Sequence, residues 1–218
     1  MSYDNSKQEE ARSDASFINE YIARIATTLR RAEHLAEFAE TAFPKGRCSQ
    51  TKDDILRAAV VFLHATLEDF LRYIGTKFIS SSDDPNVLDK ISLPGSPGRA
   101  EKFFLGKLAT HRGKSVNQLI AESVEAHLNK RSFGNTDDIS QLLESVGVPT
   151  NEVREYYQFL SELMSKRHDI VHTGDLKPTD KPGERDTKPI DPNKVKEWSQ
   201  TIEHFTSAVA ASKLRTGV

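Results

Sequence analysis

The chain has one cysteine, Cys48, so no internal disulfide can form and stability has to come from packing. It has no long apolar run: the longest, Ala58 to Leu63, is far short of the roughly twenty residues that a bilayer requires. Its opening, MSYDNSKQEEARSDAS, lacks the apolar stretch of a secretory signal. It also lacks a basic excess, since 30 Lys and Arg face 32 Asp and Glu for a net charge of -2. That excludes a protein that follows a nucleic-acid backbone over many phosphates, so any such contact must be local. No strand-like alternation and no internal repeat occurs. Together these absences lead us to expect a soluble, cytoplasmic protein with no membrane segment.

What is present is helical periodicity. In 218 residues, 37% hydrophobic content suffices for one core, so a single domain is expected over 14–215, after a loose N-terminus at 1–13. From Ser16 to Phe43, apolar residues recur every three or four positions (Phe17, Tyr21, Ile25, Leu29, Ala32, Leu35, Ala36, Ala39), with Asp14 as N-cap and Pro44 and Gly46 as terminators. A second helix runs from about Lys52 to Ile79, capped by Thr51, with Asp53 and Asp54 in its first turn. Its centre, 58–72, is apolar on nearly all sides, which predicts burial against several neighbours.

Residues 80–98 are rich in Ser, Asp, Pro and Gly and read as a loop. A small helical insertion is expected over 99–147, with pieces at Ala100–His111, Val116–Lys130 and Asp137–Val146, closed by Gly147 and Pro149. Asn151 opens the next helix, which continues through Ile170 and Val171. Four prolines and two glycines make 173–192 an exposed loop. Asp191-Pro192 starts a last helix with Val195, Trp198, Ile202, Phe205 and Val209 on one face. Trp198 is expected in the core or at a dimer surface. The fold class is therefore all-α, a bundle of long helices.

The chemistry is concentrated in Lys166-Arg167-His168-Asp169-Ile170-Val171-His172. Arginine grips phosphate in a planar fork, and histidine takes and gives protons near neutrality. The pair suffices to cleave a phosphodiester without a metal or other cofactor. A base is needed for the attacking hydroxyl, an acid for the leaving oxygen, and a cation for the charge on the non-bridging oxygens. Residues five apart on a helix lie roughly 140° apart, so one motif alone does not aim both groups at one target. The plain alternative is a solvated helix end whose cations complement the dipole.

His64 and Glu68 share a face of the second helix, where the plain reading of Glu68 is a buried acid neutralised by a nearby arginine. Together with His168 and His172 they form two i, i+4 pairs that could instead clasp a zinc or iron ion. Lys102, Lys107, His111, Arg112 and Lys114 form a modest basic cluster, read either as an RNA guide or as an ordinary solvated face. Lys177, Lys181, Arg185 and Lys188 alternate with acids and argue against a phosphate track. Cys48 has no companion that would make it a nucleophile.

The Arg-x4-His pattern, with a polar residue straight after the arginine, resembles the signature of the HEPN superfamily. The chain is most similar to RiboL-PSP-HEPN-like ribonucleases of bacterial defence and toxin systems. Two further segments carry the resemblance: Phe62-Leu-His-Ala-Thr-Leu-Glu-Asp-Phe-Leu71, and Arg131-Ser-Phe-Gly-Asn-Thr-Asp-Asp-Ile-Ser-Gln-Leu-Leu-Glu-Ser-Val-Gly147. The resemblance implies an all-α homodimer with one composite cleft, and metal-independent RNA cleavage leaving a 2′,3′-cyclic phosphate. It makes Arg167, His172 and His168 the catalytic candidates. Glu68 and His64 would support them by holding the arginine or a histidine, and Lys166, Arg112 and Lys114 would bind substrate. It also implies a cognate antitoxin or defence-system partner. The reading from another class is a non-catalytic HEPN-like module that binds a nucleotide or a partner protein in the same cleft.

Overall fold

The computed structural model describes residues 2–43, 50–94, 105–177 and 187–216. Among these the fold is all-α, as expected. The helices are α1 (Ser2–Ala42), α2 (Gln50–Ser80), α3 (Pro85–Leu88), α4 (Val116–Lys130), α5 (Thr136–Ser145), α6 (Tyr157–Thr173) and α7 (Pro192–Thr216). Short 3-10 turns at Leu105–His111, Thr150–Glu152 and Arg154–Tyr156 join them. None of the described helices is long and apolar enough to cross a membrane.

The apolar girth of α2 has the consequence its sequence predicts. It packs against α1, α4, α5, α6 and α7, burying Leu56, Leu63, Leu67, Phe70 and Leu71 almost completely. Each such side chain contributes about 1.5–3 kcal/mol on leaving water. At Gly75 side chains of α4 and α5 press on α2, since a Cβ there would stand 2.8 Å from a Leu128 methyl and 2.9 Å from a Leu142 methyl.

Local signals set the helix ends. Ser115 and Gln118 form a capping box on α4. Asn135 accepts the Asp138 N–H at the start of α5. Gly174, at φ +64°, ends α6 in the left-handed conformation that glycine adopts without cost.

Four boundaries differ from expectation. Helix α1 starts at Ser2, not after Asp14, so 2–13 are helical; a polar sequence without Gly or Pro continues a helix already nucleated by a buried stripe. The 80–98 loop contains α3, capped by Asp84, whose side chain accepts the Asn86 N–H. The 99–147 segment is no appendage: Val124, Leu128, Phe133, Ile139, Leu142 and Leu143 join the same core as α2. The 173–192 loop is exposed only in part, because Asp175 and Ile190 near its ends are buried. Trp198 is buried in the core, as expected. Expectations placed on Pro44, Gly46, Cys48, 95–104 (with Lys102), Lys181 and Arg185 fall outside the described residues, as does the side chain of Lys107.

Candidate active site

Helix α6 brings the motif alongside α2. Leu160, Leu163 and Met164 bury its first half, and the same helical face then reaches Arg167, which is half-buried. Arg167 stands close enough to His64 that its charge acts on the imidazole. Among the described residues no acceptor hydrogen-bonds the Arg167 guanidinium. His168 and His172 emerge on the solvent side of α6. Their rings lie 4.4 Å apart at an interplanar angle of 42°. Between them, Asp169 binds Lys188 at 2.6 Å, and that ion pair holds its carboxyl below the usual range. Within one protomer Arg167 thus faces α2 while both motif histidines face water, in keeping with offsets of about 100° for His168 and about 140° for His172 around the helix.

His64 and Glu68 pin a different element from the one expected. The Glu68 carboxylate receives Arg72 at 3.1 Å on one oxygen and the Phe133 N–H at 3.3 Å on the other. It stands 4.0 Å from His64 Nδ1, an ion-pair distance beyond hydrogen-bond length. Arg72, in turn, donates to the backbone carbonyls of Leu128 and Arg131. The Arg72 and Arg131 guanidiniums lie over the Phe133 ring at 5.9 and 5.7 Å. Glu68 therefore holds Arg72, one turn along its own helix, rather than Arg167, and clamps the segment around Phe133 onto α2. The i, i+4 spacing of Glu68 and Arg72 was a readable signal for this.

His64 is 3% exposed. Burial pushes its pKa down; Glu68 opposes the shift, Arg167 adds to it, a hydrogen bond with the Phe133 backbone opposes it, and Arg72 adds again. A histidine that resists protonation in the fold but protonates freely when unfolded stabilises the protein above its unfolded pKa of about 6.5. That contribution is lost as pH falls through 6.5 toward the lower folded value, at up to about 1.4 kcal/mol per pH unit. Urea unfolding between pH 8 and pH 5 should show the decline, with a shallower slope in His64→Gln. An unchanged slope in the variant would assign the acid sensitivity to other groups.

Lys166 does not face an open cleft. Its ammonium binds both oxygens of Asp175, at 2.8 and 2.7 Å. The same carboxylate receives Arg57 Nε at 3.1 Å. Arg57 also binds Asp54 at 2.9 Å and the Lys188 carbonyl at 2.7 Å. Asp175 is fully buried and sits at φ +58°, a left-handed conformation that Asp tolerates better than most residues. Its carbonyl accepts the Lys188 N–H, beside the Leu176–Thr187 bridge. These bonds fasten both feet of the loop after the motif to the first half of α2. The sequence did not signal this, because Arg57 and Asp175 are 118 positions apart.

Arg112 and Lys114 are exposed just before α4, and Lys114 binds Glu122 at 2.5 Å. The other end of α4 meets Arg72, and its 15 residues span about 22 Å. These two cations thus stand a helix length from the Glu68–Arg72 pair. Nor do His64 and Glu68 join His168 and His172 in one metal clasp. Among the described residues no three or more His, Cys, Asp or Glu side chains are grouped to hold an ion.

The sequence profile of the RiboL-PSP-HEPN family matches residues 23–211, from the second turn of the α1 stripe nearly to the end of α7. No curated protein and no solved structure gives a significant match.

Proposed function

The chain belongs to the RiboL-PSP-HEPN family, and from that premise we propose that it is a metal-independent endoribonuclease whose cleft forms between two copies. The observation that carries this reading is the unpaired guanidinium of Arg167. Arg57, Arg72 and Arg131 are each engaged by carboxylates or carbonyls, whereas Arg167 is half-buried and pairs with no anion among the described residues. A desolvated cation without a partner is costly unless an anion arrives, and a phosphodiester is such an anion.

A second copy supplies what one protomer lacks. Ala58, Val61, Phe62 and Ala65 follow i, i+3, i+4, i+7 along α2, and all are exposed except Val61, which is half-buried. This uncovered stripe lies about a quarter-turn from His64 and Glu68. Val171, 49% exposed, adds apolar surface one residue before His172. Two-fold pairing over such faces would bring two arginines and four imidazoles about one cleft.

In the reaction, Arg167 neutralises the scissile phosphate. His172 moves the proton of the attacking 2′-hydroxyl or of the leaving 5′-oxygen, and His168 supports it. DNA has no 2′-hydroxyl and is not a substrate. A toxin or antiphage role, with a neutralising partner, follows from the same reading. The test is cleavage of RNA in excess chelator, with the new ends identified by mass spectrometry. Cyclic phosphate ends are expected; 5′-phosphate ends, or no cleavage at all, would overturn the proposal and leave a helical binding module.

A further inference from the structure

We propose that His168 and His172 form a two-point site for a divalent transition ion, zinc or copper, and that the ion inhibits the motif by occupying its imidazoles. The binding part is independent of the nuclease reading; the inhibition part rests on it. The two side chains are one turn apart on the same side of α6, both exposed, with ring centroids 4.4 Å apart. An ion bonded to two imidazole nitrogens at about 2.0–2.1 Å holds them roughly 3.3 Å apart in tetrahedral geometry. Small side-chain rotations of two solvent-facing rings reach that separation without disturbing the core. Imidazole is a preferred ligand for copper and zinc, and copper binds more tightly of the two.

Water completes the shell. The nearest carboxylate on this helix, Asp169, is held by Lys188 at 2.6 Å, and among the described residues of one chain no third protein ligand is grouped with the pair. The site is therefore a reversible chelate and not a structural metal centre. Ligation needs the free lone pair of each imidazole. The nitrogen bound in this way can neither accept nor deliver the proton that strand cleavage requires, so ion binding and catalysis through that nitrogen exclude one another.

The experiment uses tag-free full-length protein, stripped with chelator and then titrated with Zn²⁺ and Cu²⁺ by calorimetry. Saturable uptake is expected, with at most one ion per chain. His168→Ala and His172→Ala should each weaken it roughly tenfold or more, because the second imidazole no longer binds intramolecularly. His204→Ala, exposed on α7, should leave it unchanged. Absence of uptake by the wild type, or uptake undiminished in both motif variants, overturns the site. Circular dichroism checks that the variants are folded. Protein that takes up the ion but cleaves no RNA retains this site and loses the nuclease reading. Protein that cleaves RNA but takes up ion equally in wild type and variants retains the nuclease reading and loses this site.

Discussion

Replacing His172 with alanine should slow RNA cleavage by about 10²- to 10⁴-fold, the range for removing a positioned proton-transfer group. Replacing Arg167 with alanine should cost about 10²- to 10³-fold, the range for removing a donor to transition-state charge. His172 is exposed, so its variant should unfold at the wild-type temperature, which separates a chemical defect from a folding one. Arg167→Lys should recover only part of the rate, since lysine keeps the charge but not the fork. A mixture of the two inactive alanine variants should regain measurable cleavage. In the proposed dimer, a mixed pair still offers one arginine and one histidine to the shared cleft. Undiminished cleavage by either single variant would remove that residue from the site. Failure of the mixture alone would argue that each protomer uses its own pair.

Asp175→Asn should be the most destabilising single-charge change in the chain, at about 3–5 kcal/mol in urea unfolding. The substitution keeps the size of the side chain and a residue type that accepts positive φ, so backbone strain does not account for the loss. What it removes is the negative charge of the carboxylate that Arg57 and Lys166 share, and their side chains are 8% and 15% exposed. Arg57 keeps Asp54 and the Lys188 carbonyl, but Lys166 is left largely buried without the carboxylate that binds it, and breaking such a buried pair is costly. The substitution also frees the last turn of α6, because Asp175 ties the chain three residues after His172 to α2. Cleavage should therefore fall even where the protein remains folded. A loss below about 1 kcal/mol would show that the loop is held by other contacts.

The helices were legible because their signals are local. The stripe on α1, the capping Ser115, the Asp191-Pro192 start of α7 and the all-round apolarity of α2 each act within a few turns. Helix α3 was hidden by its four-residue length and its proline. The extra turns of α1 were hidden because a polar segment gives no period to read. The site was legible in its parts and not in its pairings. Arg167, His168 and His172 stand out by residue type and spacing. That Glu68 would choose Arg72, and Lys166 would choose Asp175, depended on which side chains the packed helices bring within reach.

Sequence alone determined that this chain is a helical bundle carrying an arginine and two histidines at the end of one amphipathic helix, because periodicity and residue chemistry are written in neighbouring positions. Only the tertiary structure decided that Lys166 is consumed by a buried carboxylate, that Arg167 pairs with none among the described residues, and that both His168 and His172 face water. Those outcomes turn on how α6 packs against α2 and on how the chain after Gly174 folds back to Arg57, which residue type and spacing alone do not specify.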